Sequence, residues 1–261
     1  MRTKTLLIAT AALAAGIISS QAQVYSQNIV GYYNVTVPQN GFALVGHQLD
    51  IGDGTNGIST VFGSGLVSDP NAVNNTQILL WNPSTQQYQT FFYFNAGDAA
   101  ADWSGPAGFY DSGGGFVNTP LPPGGAAFLY NYANGSSNLT VTVVGTVPQV
   151  TNVYTIQSGY NMLALTAPVA TNLVGNLGNF TGTSDPNAIN NDQLLTWNSS
   201  TSQYQTLFYF NAADAAADWS GPAGFYDSGG SFYNAAPAVG TAFFIYHVVA
   251  GTEYWTNSFS F

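Results

Sequence analysis

Apolar and polar residues alternate in short runs along this chain, and clusters of turn residues separate the runs. Asn28–Val37 is rich in Val, Ile, Tyr and Thr, and Phe42–Leu49 follows it. Between them, Pro38-Gln39-Asn40-Gly41 is a turn sequence whose Asn-Gly step supplies positive φ. Gln77–Trp81 and Gln87–Phe94 predict the next hairpin, closed by Asn82-Pro83-Ser84-Thr85. In its second strand Tyr88, Thr90, Phe92 and Phe94 share one face, and Phe91 and Tyr93 the other. Both faces are apolar, which predicts a strand covered on both sides, as in a sandwich. Phe128–Tyr130 and Leu139–Val144 predict further strands. One short helix is expected at Asn95–Trp103, capped by Asn95 and favoured by its alanines, with the Gly-Pro-Ala-Gly segment behind it read as a loop.

Nearly every element occurs twice. Asp69–Phe116 and Asp185–Phe232 align at an offset of 116; of 48 positions 9 differ, leaving 39 identical. Upstream, Gly41–Val45 matches Gly159–Leu163 at an offset of 118. Val150–Ile156 and Tyr160–Leu165 repeat the first strand pair around Gln157-Ser158-Gly159, and Gln193–Trp197 with Gln203–Phe210 repeats the second. The helix recurs at Asn211–Trp219. The loops Asp50–Ser68 and Ala167–Ser184 share little. A repeat this long suits two tandem domains better than a solenoid. The expected fold is all-β: two tandem homologous antiparallel β-sandwich-like domains, each with one short helix, at 24–145 and 146–261.

Composition sharpens this picture. Only 5% of the 261 residues are charged, and there is no cysteine. The two basic residues, Arg2 and Lys4, precede an apolar run, Leu6–Ile18, and then small residues. Residues 1–22 therefore read as a secretory signal peptide, and the expected location is secreted, extracellular or at the cell surface. Cleavage there would leave 239 residues with no lysine or arginine and a formal charge of −12. Such a surface cannot neutralise phosphates, so nucleic acid and anionic membrane surfaces are excluded as partners. Disulfides and thiolate chemistry are excluded by composition.

Candidate chemistry lies in the duplicated block. Asp98, Asp102 and Asp111, with their twins Asp214, Asp218 and Asp227, gather carboxylates that no lysine or arginine can neutralise. Calcium, a hard cation wanting several oxygens, fits them; the alternative is that each Asp shapes its own turn. Trp103 and Tyr110, with Trp219 and Tyr226, flank the loop beside these carboxylates and suit a sugar-stacking platform, alongside Trp81, Phe109, Trp197 and Phe225; the alternative is that they fill the core. Catalysis has little support: His47 aligns near Leu165 and His247 with Asn131, so neither histidine recurs and no catalytic set is repeated.

Three segments together carry a resemblance: Gly41-Phe42-Ala43-Leu44-Val45, Trp81-Asn82 through Tyr88, and Pro123-Gly124-Gly125-Ala126-Ala127-Phe128. The chain resembles a loose group of secreted bacterial β-repeat proteins with G-F-x-L-V, W-N-x5-Y and P-G-x-A-F modules. That resemblance implies the compartment and the fold and adds no site residue. The leading expectation is a secreted non-catalytic structural or surface-associated protein, matrix-, coat- or adhesin-like. Its end strands, Asn28–Val37 and Thr256–Phe261, would pair head-to-tail between copies. A carbohydrate-binding protein partnered by extracellular glycans is the second reading. An outer-membrane β-barrel is the third, prompted by the alternating, phenylalanine-terminated segment Trp255–Phe261.

Overall fold

The computed structural model describes residues 29–258, apart from 64, 72–73, 133–136, 150, 167, 169–179, 188 and 234–236. The expected signal peptide and the last three residues lie outside the described residues.

The first lobe runs β1 (Val30–Val37), β2 (Gly41–Gly46), α1 (Ile58–Val61), β3 (Gln77–Asn82), β4 (Gln87–Phe94), α2 (Ala96–Asp102), β5 (Gly108–Tyr110), β6 (Phe116–Val117), β7 (Ala126–Asn131) and β8 (Leu139–Thr146). Six strands form an open antiparallel sheet in the order β2-β7-β3-β4-β5-β6, and β1 pairs with β8 as a separate ribbon. The second lobe runs β9 (Thr151–Leu163), β10 (Gln193–Asn198), β11 (Gln203–Phe210), α3 (Ala212–Asp218), β12 (Gly224–Tyr226), β13 (Phe232–Tyr233) and β14 (Phe243–Ser258). Its sheet has the order β13-β12-β11-β10-β14-β9. The two lobes are tandem copies of one all-β, sandwich-like arrangement.

Side-chain alternation builds the sandwich. From the ribbon, Tyr33, Val35, Val37, Val141 and Val143 point inward onto Val45, Ile78, Leu129, Phe91 and Phe109 of the sheet. In the second lobe Tyr154, Ile156 and Trp255 cover Leu194, Leu207, Phe225 and Ile245 in the same way. Each buried side chain of this size contributes roughly 1.5–3 kcal/mol of burial. With so few charges, packing of this kind and hydrogen bonds carry the stability.

Residues of the opposite parity face the other lobe. Leu44, Phe128, Phe244, Ala126, Ala164 and Ala242 form one buried cluster between the sheets, flanked by Trp81 and Trp197. The contacts are reciprocal. The Trp81 indole N–H donates to the carbonyl of Tyr160 at 2.7 Å, and that of Trp197 to the carbonyl of Phe42 at 3.0 Å. The Gly46 N–H donates to the Gly240 carbonyl at 2.8 Å, and the Ala164 N–H to the Gly124 carbonyl at 2.9 Å. Each pair swaps the copies, so the lobes meet as an isologous dimer does, within one chain. The doubly apolar strands of the sequence are thus covered by a ribbon on one face and by the sister lobe on the other.

Three details differ from the sequence reading. First, β9 is a continuous strand where a turn at Gln157-Ser158-Gly159 was expected. The Tyr33 hydroxyl donates to the Gly46 carbonyl, and the Tyr154 hydroxyl to that of Ala164. The offset between copies falls from 121 at Tyr33/Tyr154 to 118 at Gly46/Ala164, so three residues of the first turn have no counterpart. Asn161 holds the remaining bend: its Oδ1 accepts from Gln157 N–H at 2.9 Å, and its Nδ2 donates to the Gln157 carbonyl at 2.7 Å. Second, the segment read as a loop after each helix contains a three-residue strand, β5 or β12, paired with β6 or β13 just beyond it, all too short to show alternation. Third, the first lobe's loop Asp50–Ser68 contains a single helical turn, α1, whose Ile58 and Val61 are buried. Between the lobes, β8 ends at Thr146 and β9 begins at Thr151. The alternating stretch Trp255–Ser258 is the end of β14, paired with β9.

Candidate functional site

The helix and its following hairpin form one aromatic unit in each lobe. The Asn95 Oδ1 accepts from the N–H groups of Gly97 and Asp98 at 2.8 and 3.0 Å, which caps α2; Asn211 caps α3 in the same way. The helix delivers Trp103 onto the hairpin. Its ring stacks on Tyr110 with centroids 6.4 Å apart and planes at 23°, and meets Phe94 edge-on at 6.0 Å. In the second lobe Trp219 and Tyr226 lie 6.3 Å apart at 20°. Gly114 and Gly230 pass directly under these indoles: a Cβ at either position would sit 2.1 Å from the ring.

The structure divides the predicted aromatics sharply. Tyr110 and Tyr226 are buried, and their hydroxyls donate to the carbonyls of Pro106 and Pro222 at 2.5 Å. Burial pushes both phenols above their usual range. They close the loop and present no surface. Phe109 and Phe225 are core, and Trp81 and Trp197 bind the lobes together. Trp103 and Trp219 alone of this set are open, at 40% and 38% exposure. Each offers an indole on a rigid backing.

The duplicated aspartates take local partners where the structure gives them any. Asp98 Oδ2 accepts from the Ser68 hydroxyl at 2.5 Å and from Asn95 Nδ2 at 2.9 Å; Asp214 repeats this with Ser184 and Asn211. Asp111 Oδ1 accepts from the N–H groups of Gly113 and Gly115, and Asp227 Oδ1 from those of Gly229 and Ser231. The Ser231 N–H, helped by that of Gly229, holds the Asp227 carboxyl below its usual range. Asp102 and Asp218 are exposed at the helix ends. Among the described residues, neither Asp98, Asp102 and Asp111 nor Asp214, Asp218 and Asp227 bring three ligand atoms together.

A different group does converge. Among the described residues, Asp192, His247 and Glu253 place one ligand atom each within 4.8 Å of one another. His247 Nδ1 lies 2.9 Å from Asp192 Oδ2 and 3.8 Å from Glu253 Oε2. Asp192, just before β10, is fully buried; His247 is 5% exposed and Glu253 13%. The Val248 N–H donates to Asp192 Oδ1 at 2.9 Å, and the Thr183 N–H to Oδ2 at 3.0 Å. The Thr181 N–H and hydroxyl both donate to Glu253 Oε1. Neither histidine pairs with the other: His47 is buried in the first lobe with Nδ1 on the Leu121 carbonyl. Spacing along the chain hid this group, because 55 residues separate Asp192 from His247. The signal was in the repeat itself, where Thr76 aligns with Asp192 and Asn131 with His247.

Comparison of the chain with protein-family models, with curated proteins and with solved structures finds no match in any of the three. The class is therefore defined by the fold: a two-lobed, cysteine-free, all-β protein whose halves are fused face to face.

Proposed function

We propose that this is a secreted, non-catalytic structural or surface-associated protein, a rigid body that displays one aromatic hairpin twice. The observation that supports it is the reciprocal aromatic interface, which makes one internally symmetric unit of two copies. Repeated display at fixed separation is what a matrix, coat or adhesin-like component needs, because linked sites gain avidity without new contacts. Self-association is the expected partner chemistry. The outward face of the β1–β8 ribbon carries Val30, Tyr32 and Val144 at 69%, 73% and 55% exposure, with no charged residue in either strand. The ribbon strands are already paired with each other, so association between copies would use their outer edges or this face. Light scattering behind size exclusion tests it: multimers growing with concentration support the reading, and a strict monomer at high concentration rejects it.

Carbohydrate binding is the second reading, favoured by Trp103 and Trp219, each a half-open indole buttressed by glycine and tyrosine. A glycan array tests it with wild type and the W103A/W219A variant. Binding lost in the variant at an unchanged Tm supports a sugar site. No binding by wild type rejects it.

A further inference from the structure

We propose that the second lobe holds one divalent transition-metal ion, of which zinc is the natural probe, through Asp192, His247 and Glu253. Three independent features of the chain point to an ion at that position.

The first is geometry. One nitrogen and two carboxylate oxygens converge in the interior, His247 and Glu253 from β14 and Asp192 from the segment before β10, with spacings of 2.9 and 3.8 Å from His247 Nδ1. Metal–ligand bonds of about 2.1 Å set ligand–ligand edges of roughly 3.0–3.4 Å in octahedral and tetrahedral sites. Small side-chain rotations bring all three atoms onto such edges. The ion would take the place of a proton on Nδ1.

The second is charge. Two carboxylates buried side by side repel unless a cation or proton intervenes. The chain's two Lys/Arg residues are Arg2 and Lys4, so no such side chain stands among the described residues. A neutral imidazole, two carboxylates and a 2+ ion sum to zero.

The third is the built-in control. Thr76 stands in the first lobe where Asp192 stands in the second. Its hydroxyl already accepts the Val67 N–H at 3.0 Å, as Asp192 Oδ2 accepts that of Thr183. The backbone contact therefore needs no carboxylate. Asn131 pairs with Gly41 where His247 pairs with Gly159. Glu253 pairs with Ile156 as Val141 pairs with Val35, and Val141 is 1% exposed in the core. One lobe thus replaces threonine, asparagine and a core valine by three metal-ligating residues that meet. The imidazole argues against calcium, which prefers all-oxygen sites. The ion would tie the distal ribbon of β14 to the loop before β10, where the first lobe uses apolar packing.

The test is isothermal titration of the EDTA-dialysed protein with zinc, beside thermal unfolding. One zinc per chain is expected, with Tm raised by about 5–10 °C at hundredfold excess over Kd. Replacing each residue by its first-lobe equivalent (D192T, H247N and E253V, singly and together) is expected to abolish the increment. The single variants test the claim even if the triple variant misfolds. H247N, the most conservative in shape, is the deciding one: zinc binding unchanged in a folded H247N overturns the site. So does a wild type that binds no zinc, or whose stability depends on pH but not on any added ion, which would make the group a protonated imidazolium pair. Calcium that displaces zinc stoichiometrically would also overturn the assignment.

Discussion

Replacing Gly240 by alanine tests how tightly the lobes press on each other. Gly240 has φ of +80°, and a Cβ there would lie 2.6 Å from Tyr33 Cδ2, 2.8 Å from its Cε2 and 2.9 Å from Val35 Cγ2. Both neighbours belong to the other lobe's ribbon and are buried at 5% and 7% exposure. Tyr33 cannot swing aside cheaply, because its hydroxyl is fixed on the Gly46 carbonyl at 2.8 Å. Nor can the Gly240 backbone retreat: its carbonyl accepts from Gly46 N–H, and its N–H donates to Gln48 Oε1 at 2.6 Å. Left-handed strain for alanine costs about 1 kcal/mol, and overpacking adds roughly 1–3 kcal/mol. The expected loss is about 2–4 kcal/mol in all. Gly52 is the control, since its φ is +78° and nothing lies within 4 Å of its Cβ position. Gly52→Ala then carries only the strain, about 1 kcal/mol, partly offset by a stiffer unfolded chain. Urea unfolding of both variants, followed by tryptophan fluorescence, measures the difference. A Gly240→Ala variant no less stable than Gly52→Ala would refute the close approach and, with it, the fused two-lobe body.

Phe128→Ala removes a ring that meets Trp197 at 5.3 Å and Phe244 at 6.5 Å, and should cost about 3–5 kcal/mol by urea unfolding. His47 gives a pH signature. Burial holds its imidazole below the ordinary value of 6.5, against the opposing pull of the Leu121 and Pro122 carbonyls and of Asp50 and Asp53. The unfolded chain then takes up its proton first, so the stability tied to His47 is whole above about pH 6.5 and drains away as the pH falls below it. His47→Leu, the residue at the matching position 165, should flatten that acid limb; an unchanged limb in thermal unfolding between pH 4 and 7 would assign it elsewhere. Asn95→Ala and Asn211→Ala should each cost about 0.5–2 kcal/mol, near equally, because the two caps match in geometry. Unequal losses would mean that the two helices are held differently.

The duplication, the β class and the helix caps were legible in the chain, because each rests on local physics. Alternation with period two fixes which side chains share a face, and Asn before an alanine run fixes a helix start. The doubly apolar character of Tyr88–Phe94 even required that both faces be covered. What covers the second face was decided only in three dimensions. Phe128 and Phe244 read as ordinary strand residues until the sheets meet. Tyr110 and Trp103, seven positions apart, look equally suited to a ligand; tertiary packing buries the tyrosine under its own loop and leaves the indole open. The aspartates were visible as duplicated charges, but whether a carboxylate faces an ion or nearby donors depends on local geometry: the Ser68 and Asn95 side chains take Asp98, and its own turn takes Asp111. Asp192 lies 55 residues from His247, and only the packing of β14 against the segment before β10 brings it within reach of His247 and Glu253. Sequence determined the elements and their faces, since those follow from neighbours along the chain. Structure decided the site, since convergence of distant side chains is a property of packing.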